Sequence, residues 1–371
     1  MTLPTSPSAA RAPLRVWLNR SFSGTVHVIR ALQRGGAWVA ASHTRADAPT
    51  LAVADEGWLE PPTNLSPANL PPDDYLAWCL SRCRDARIDV LIPERHKEHL
   101  ARATRQFADL GTRLLVAADA DTLALLDDKA RVYADLCGQP GLGAVVPEHY
   151  LVTTLDAFEE AYETIAASGR RVCFKPTVGV FGNGFRVIGE ETLGELLGET
   201  THVIDLAHLR RLLAPHPSFV PLLVMPYLAG TERSVDVVAH EGEVAAAVVR
   251  AKPTGGGYAQ RLEDNPDILG RVRALVARYR LSGLVNVQFK DDALSDGARA
   301  YLLEINTRAS GGLFMALEAG VNLPYEAVLI ATGRREIADV PAPTFGARIA
   351  QVTAPLAVTP SAVGGWERDP V

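Results

Sequence analysis

The sequence predicts an α/β domain on a parallel sheet, followed by a mostly antiparallel α+β region. Three observations carry this. Over the first third, short apolar runs alternate with helical stretches, as in a parallel sheet covered on both faces. From about residue 145 the pattern changes to strands paired through turns. Late in the chain, two strands carry polar residues at every second position, so one sheet face there is not simple core. A chain of 371 residues is long enough for two or three domains or subdomains.

Each element has a local reason. "LRVWLN" (residues 14–19) reads as a buried strand, and "GTVHVIRALQRGG" (24–36) as a helix with a glycine stop. "AWVAAS" and "DVLIP" are further strands, separated by the amphipathic helix "YLAWCLSRCRDARI". "KEHLARATRQFADLG" reads as one helix, with "RHKEH" on its surface, and "RLLVAA" as the next strand. Ligands of such sheets lie beyond the carboxyl ends of the strands. "TLALLDDKARVYADLCGQPGLG" is a helical bridge out of this domain. Beyond it, "RRVCFKP" and "FRVI" form a hairpin around the loop "TVGVFGNG". "FVPLLVMPYL" is a strand bounded by prolines, and "RSVDVVAHEGEVAAAVVRAK" two strands turning at Glu241–Gly242. The helix "ILGRVRALVARYRL" precedes the strands "GLVNVQFKDD" and "RAYLLEINTR". "LFMALEAG" and "PYEAVLIATG" read as closing helices, and "ARIAQVTA" as a strand in the tail.

Composition narrows the function classes. Apolar residues at 47% and charged residues at 22% are ordinary for a globular protein. A net charge of −6 argues against a nucleic-acid partner, which usually meets a basic face. The Pro/Ser/Ala-rich start, "MTLPTSPSAARAPL", reads as a disordered leader without a signal-peptide core. No apolar run approaches the roughly 20 residues of a membrane span, so a cytoplasmic protein with no membrane partner is expected. Cys79, Cys83, Cys137 and Cys173 lack C-x-x-C spacing and read as buried thiols in a reducing compartment.

Two constellations carry chemistry. On one strand Glu304, Asn306 and Arg308 share a face, with Leu303 and Ile305 on the other; on its neighbour Asn286, Gln288 and Lys290 share a face. Antiparallel pairing brings Gln288 to Glu304 and Asn306, an oxygen-rich set suited to a hard cation that also binds substrate phosphates. The second constellation is Lys175 before Gly179, Gly182 and Gly184, whose backbone N–H groups can meet phosphate oxygens. It is not the P-loop pattern, in which the lysine follows the glycines. Arg250 and Lys252 share a strand face ahead of another glycine-rich loop. With Ser310 and Gly311, they are candidate substrate contacts. Ser23, Gly24 and Thr25 follow the first strand without a dinucleotide fingerprint and are a candidate contact from the first domain.

In this order, "DDKARVYADL", "FKPTVGVFGNG", "VMPYLAGTERSVDV", "GLVNVQFK" and "LEINTRASGG" resemble the ATP-grasp superfamily, in particular its carbamoyl-phosphate-synthase-like ligases. Within it, the chain looks most like the ATP-grasp proteins associated with tellurium-resistance operons. The resemblance implies a leader (1–13), a pre-ATP-grasp α/β domain (14–120), a two-subdomain ATP-grasp fold (121–224, with linker helix and glycine-rich lid, and 225–336, with the metal site) and a tail (337–371). It implies ATP and Mg²⁺, or Mn²⁺ in its place. Lys129 and Lys175 would hold phosphates, and Gly179, Gly182 and Gly184 would form the lid. Met225, Tyr227 and Leu228 would belong to the adenine hinge, and Glu232 would contact nucleotide. Gln288, Glu304 and Asn306 would hold metal, with Arg308 and Lys175 catalytic.

One departure stands out. The hinge usually has an acid before the aromatic residue; here Met225 and Pro226 precede Tyr227. Proline has no N–H, so Tyr227 or Leu228 must donate to adenine. The implied activity is an ADP-forming carboxylate–amine ligase that works through an acyl phosphate on small-molecule or peptide substrates, with a homodimer as a candidate assembly. A bicarbonate-phosphorylating carboxylase or carbamoyl-phosphate-type enzyme, or a non-catalytic nucleotide-binding module, are the alternatives.

Overall fold

Three sheets organise the chain. The computed structural model describes residues 12–19, 22, 24–61, 72–179, 182–190, 192–193, 202–254, 257–292, 299–352 and 354–358. Residues 1–11 of the expected leader, Ser23, Gly255, Gly256 and residues 359–371 of the tail fall outside these.

The first sheet is parallel, in the order β3-β2-β1-β4-β5. Its strands are β1 (Arg15–Leu18), β2 (Trp38–His43), β3 (Glu56–Leu59), β4 (Val90–Ile92) and β5 (Arg113–Leu114). Alternate side chains enter different cores. Val16, Leu18, Val39 and Ile92 join residues of α1 (Thr25–Arg34) and α2 (Pro49–Val53), while Trp17, Ala40 and Leu91 join Tyr75, Cys79 and Cys83 of α3 (Pro72–Asp85). Burial on both faces is what a parallel sheet requires. The order reverses between β1 and β4, so the loops leaving these strands diverge around a crevice.

The two long helices expected next are each broken. The first divides at Ala103 into α4 (Lys97–Arg102) and α5 (Thr104–Asp109). The second divides into α6 (Ala120–Leu126) and α7 (Lys129–Cys137), because the Asp128 carboxylate accepts from the N–H groups of Ala130 and Arg131 and caps a new helix. That break makes Lys129 the first residue of α7. Cys79, Cys83 and Cys173 are buried free thiols; Cys137, the last residue of α7, is exposed, contrary to expectation.

The second sheet has the order β6-β10-β7-β8-β9, from β6 (Tyr150–Val152), β7 (Val172–Pro176), β8 (Arg186–Ile188), β9 (Val203–Ile204) and β10 (Leu222–Pro226), with α8 (Leu155–Ala167) packed on it. The expected hairpin around the glycine-rich loop is present as β7–β8. Sequence reasoning does not pick out β6, α8, β9 or α9 (Leu206–Leu213).

The third sheet has the order β15-β14-β11-β12-β13-β16. It comprises β11 (Glu232–His240), β12 (Glu243–Ala251), β13 (Ala259–Glu263), β14 (Gly283–Asp292), β15 (Arg299–Asn306) and β16 (Arg348–Ala350). Helix α10 (Pro266–Arg278) covers one face, burying Val235, Val237, Val249, Val285 and Val287 with it. The other face changes along its length. Val238, Val248 and Leu284 pack in the core that contains α12 (Leu323–Ala331). Two residues along each strand the same face turns polar, at Asp236, Arg250 and Asn286. The short helix α11 (Leu313–Ala316) follows the loop that borders this polar end. The tail strand is real: β16 pairs with β13 and completes the sheet. Among the described residues no single helix is long and apolar enough to cross a membrane.

Candidate active site

The polar end of the third sheet lines a cavity of about 700 Å³ that reaches the second sheet and its glycine-rich loop. In the β14–β15 ladder Asn286 pairs with Asn306 and Gln288 with Glu304; the register then shifts, and Phe289 pairs with Leu302. Leu303 is the extra residue of a β-bulge. Simple alternation puts Leu303 beside Ile305 in the core. Instead Leu302 is fully buried there, and Leu303 lines the cavity. The bulge aims Glu304 and Asn306 into the same space as Gln288. Asn306 Nδ2 donates to Glu304 Oε1 at 2.8 Å, and Gln288 Nε2 to Asn286 Oδ1 at 3.2 Å. Each amide oxygen is thereby turned away from its donated hydrogen bond and remains an acceptor. One carboxylate and two amide oxygens fit a hard cation that takes its other ligands from phosphates. Among the described residues no group of three or more His, Cys, Asp or Glu forms an all-protein cage.

Two lysines face this set. Lys129, 9% exposed, donates from Nζ to Gly179 O at 3.0 Å and lies 3.4 Å from Glu304 Oε2. Lys175 Nζ donates to Leu303 O at 3.1 Å and reaches Tyr133 Oη at 3.4 Å. The fully buried Tyr133 hydroxyl donates to Leu302 O at 2.8 Å and Leu303 O at 3.0 Å. The carbonyl turned out by the bulge thus helps to hold Lys175 in place. Burial, then the nearby Lys129 charge, lowers the Lys175 pKa to about 8, against the opposing pull of Glu304. Gly182 and Gly184, at φ +67° and +78°, occupy the left-handed region, and a Cβ on Gly184 would sit 2.7 Å from the Pro176 ring. Gly179 needs no such conformation.

At the far wall, Cys173, Val187 and Met225 with Phe185 and Tyr227 make a small apolar cluster separate from the larger cores. Burial pushes the Cys173 thiol up to about 12, so it contributes as an apolar group. Tyr227 N–H donates to Arg171 O at 2.8 Å, which leaves Leu228 as the hinge N–H without a protein acceptor among the described residues. Glu232 is paired with Lys252 at the cavity edge.

Arg250 lines the cavity and is already engaged within the protein. It is 2% exposed, and its guanidinium donates to Asp236 Oδ2 (2.7 Å), Gln260 Oε1 (2.6 Å), Ser234 Oγ (3.1 Å) and Ser310 Oγ (2.9 Å). It braces the cavity floor against the Ser310–Gly311–Gly312 loop. A Cβ on Gly312 would lie 2.6 Å from Arg250 Nη1, so this glycine lets the loop approach.

Residues 218–355 match the family model described as ATP-grasp in the biosynthetic pathway with Ter operon. The solved structure of an N5-carboxyaminoimidazole ribonucleotide synthetase with ADP superposes at a TM-score of 0.62 and 13% identity, covering 91% of this chain and 82% of that one. The chain has the ATP-grasp fold. An L-amino acid ligase from Bacillus licheniformis superposes at a TM-score of 0.57, with 12% identity and coverage of 90% and 78%. The biotin carboxylase domain of the Hydrogenobacter thermophilus 2-oxoglutarate carboxylase, with MgADP, ADP and bicarbonate, also gives 0.57, with 17% identity and coverage of 90% and 73%. A comparison with curated proteins finds no match.

The chain has a second cavity, of about 610 Å³, beyond Glu304 and Arg308. Phe22, Glu94, Lys97 and Asp127 line it with Lys129, Asn306 and Arg308. Arg308 lies over the Phe22 ring, 4.9 Å from its centroid. Lys97 Nζ donates to Asp127 Oδ1 at 3.0 Å and Thr307 Oγ1 at 2.6 Å, tying the segment after β4 to the loop after β15. Charged residues in "PERHKEH" read as solvated surface. Only the position of β4 at the crevice could have marked Glu94 and Lys97. Of the Ser23–Thr25 stretch, Thr25 lines a smaller adjoining cavity and Gly24 approaches Gly311.

Proposed function

We propose that the chain is an ATP-dependent carboxylate–amine ligase that forms a C–N bond through an acyl phosphate and releases ADP and phosphate. The observation that carries this is the opposition of Lys129 and Lys175 to Glu304, Asn306 and Gln288 across one cavity. Adenine would lie in the Met225–Tyr227 cluster, with Leu228 N–H as its donor, and Glu232 would be near the ribose. The lysines and the N–H groups of the Gly179–Gly184 loop would hold the phosphates, and that loop would close over them and exclude water. Gln288, Glu304 and Asn306 would hold Mg²⁺, which supplies positive charge against the β- and γ-phosphate oxygens. Arg308, on the same face, would stabilise charge on the transferred phosphoryl group. Alignment of the acid with the γ-phosphate would supply much of the rate. The division at residues 121 and 225 into a preceding domain and two ATP-grasp subdomains belongs to the same reading.

Bicarbonate phosphorylation is the second reading, favoured by the bicarbonate in one structural neighbour. Incubation with MgATP, pooled carboxylic acids and hydroxylamine separates them. Hydroxamate and ADP formed only with particular acids support the ligase; phosphate release driven by bicarbonate alone supports the second reading. Nucleotide binding without ADP under every condition removes both. Glu304→Gln should reduce ADP formation at least ~100-fold by weakening the charge-stabilising site; an unchanged rate would refute the metal assignment.

A further inference from the structure

We propose that the second cavity is the acceptor site for a small primary amine, and that Glu94 receives its ammonium group and accepts the first of the two protons it loses. This rests on the ligase reading and adds the acceptor class to it.

The cavity opens at the crevice between β1 and β4, where the parallel sheet reverses its strand order and ligands collect. Glu94 sits in the loop that leaves β4. Asn19, fully buried at the end of β1, fixes that loop: its Oδ1 accepts from Glu94 N at 2.6 Å and Arg95 N at 3.0 Å. The backbone is therefore held in place, and the half-buried Glu94 carboxyl lines the cavity. An ammonium group in the cavity would give this carboxylate a charge-assisted hydrogen bond. The neighbouring acids and bases are otherwise engaged: Arg95 with Glu60 at 2.5 Å, Lys97 with Asp127 at 3.0 Å, and Lys129 with Glu304 at 3.4 Å.

Burial raises the Glu94 pKa to about 7; Arg308 and Lys97 pull it down, and Asp127 pushes it up. A carboxylate poised near neutrality suits a general base. The chemistry balances. The ammonium passes one proton to Glu94, and the amine lone pair attacks the acyl carbon. The carbon–oxygen bond to phosphate breaks, phosphate leaves with that electron pair, and it takes the second proton that the nitrogen must lose to become a neutral amide. Arg308, shared by both cavities, stands between amine and phosphoryl group. A volume of about 610 Å³ and walls of both charge signs suit a zwitterionic amine better than a lone bicarbonate.

The test uses full-length protein, MgATP and pooled carboxylic acids, with free α-amino acids as amine probes in competition with hydroxylamine. Hydroxylamine is unprotonated near neutral pH and needs no base. Mass spectrometry reads the ratio of amide to hydroxamate. In Glu94→Gln this ratio should fall about 100-fold relative to wild type, and Glu94→Asp should recover part of it. A Glu94→Gln ratio within about twofold of wild type overturns the proposal and leaves the ligase reading standing. Hydroxamate without amide from any probe overturns the amine class. No hydroxamate and no ADP from wild type removes the ligase reading itself, and this proposal with it.

Discussion

Lys175 is a cation in surroundings that oppose its charge. Burial and Lys129 bring its pKa to about 8, so it is about 90% charged at pH 7 and about 10% at pH 9. The ammonium is the form that attracts phosphate. If Lys175 holds phosphate as proposed, binding should be strongest below pH 8 and weaken as pH rises through that value. Titration calorimetry with MgADP should show affinity falling about tenfold between pH 7 and 9 if this lysine dominates, and Lys175→Met should flatten the profile. The type and position of Lys175 are visible in "FKP" before a glycine-rich loop. Its depressed pKa is not, because it depends on burial by elements distant in the chain and on the charge of Lys129.

Elements show where local pattern suffices and where it fails. Period-two alternation puts Gln288, Glu304 and Asn306 on one face, and the ladder does so. It misplaces Leu303, because a bulge adds a residue that no alternation rule registers. The β7–β8 hairpin offers a sharp comparison. Gly184 is held at φ +78° against the Pro176 ring, whereas a Cβ on Gly179 meets only an ordinary contact at 3.8 Å. Gly184→Ala should destabilise the loop by about 1–2 kcal/mol and speed amide exchange across residues 177–190; Gly179→Ala should leave exchange there near wild type. Equal effects in the two variants would show that backbone conformation does not set the order of this loop. Arg250 teaches a related lesson. Its strand face is legible, but its engagement by Asp236, Gln260, Ser234 and Ser310 requires three strands and a loop to meet.

At the scale of the molecule, the chain closes on itself. Helix α12 packs between the third sheet and α1, and Asn322 Nδ2 donates to Ala31 O at 2.7 Å. Gly35 makes this approach feasible, since a Cβ there would sit 2.3–2.6 Å from atoms of the Tyr325 ring. Gly35→Ala should lower stability by about 1–3 kcal/mol through overpacking, and pairing it with Tyr325→Leu should recover part of the loss. Urea denaturation monitored by circular dichroism measures both. Additive effects of the two changes would mean that the residues do not share this contact.

The sequence by itself determined the alternation of strand and helix, the polar stripe, the lysines and the glycine loop, because each is written in residues within a few positions of one another. It also determined the sheet face that bears Gln288, Glu304 and Asn306, since side-chain direction on a strand follows from covalent geometry. Tertiary structure decided the rest. It chose which acids are paired, engaged Arg250 with Asp236, Gln260, Ser234 and Ser310, and brought Glu94 to the cavity that Arg308 lines. Those outcomes depend on desolvation and on the meeting of side chains more than 200 residues apart, as with Lys97 and Thr307, and such proximity has no signature in the local order of residues.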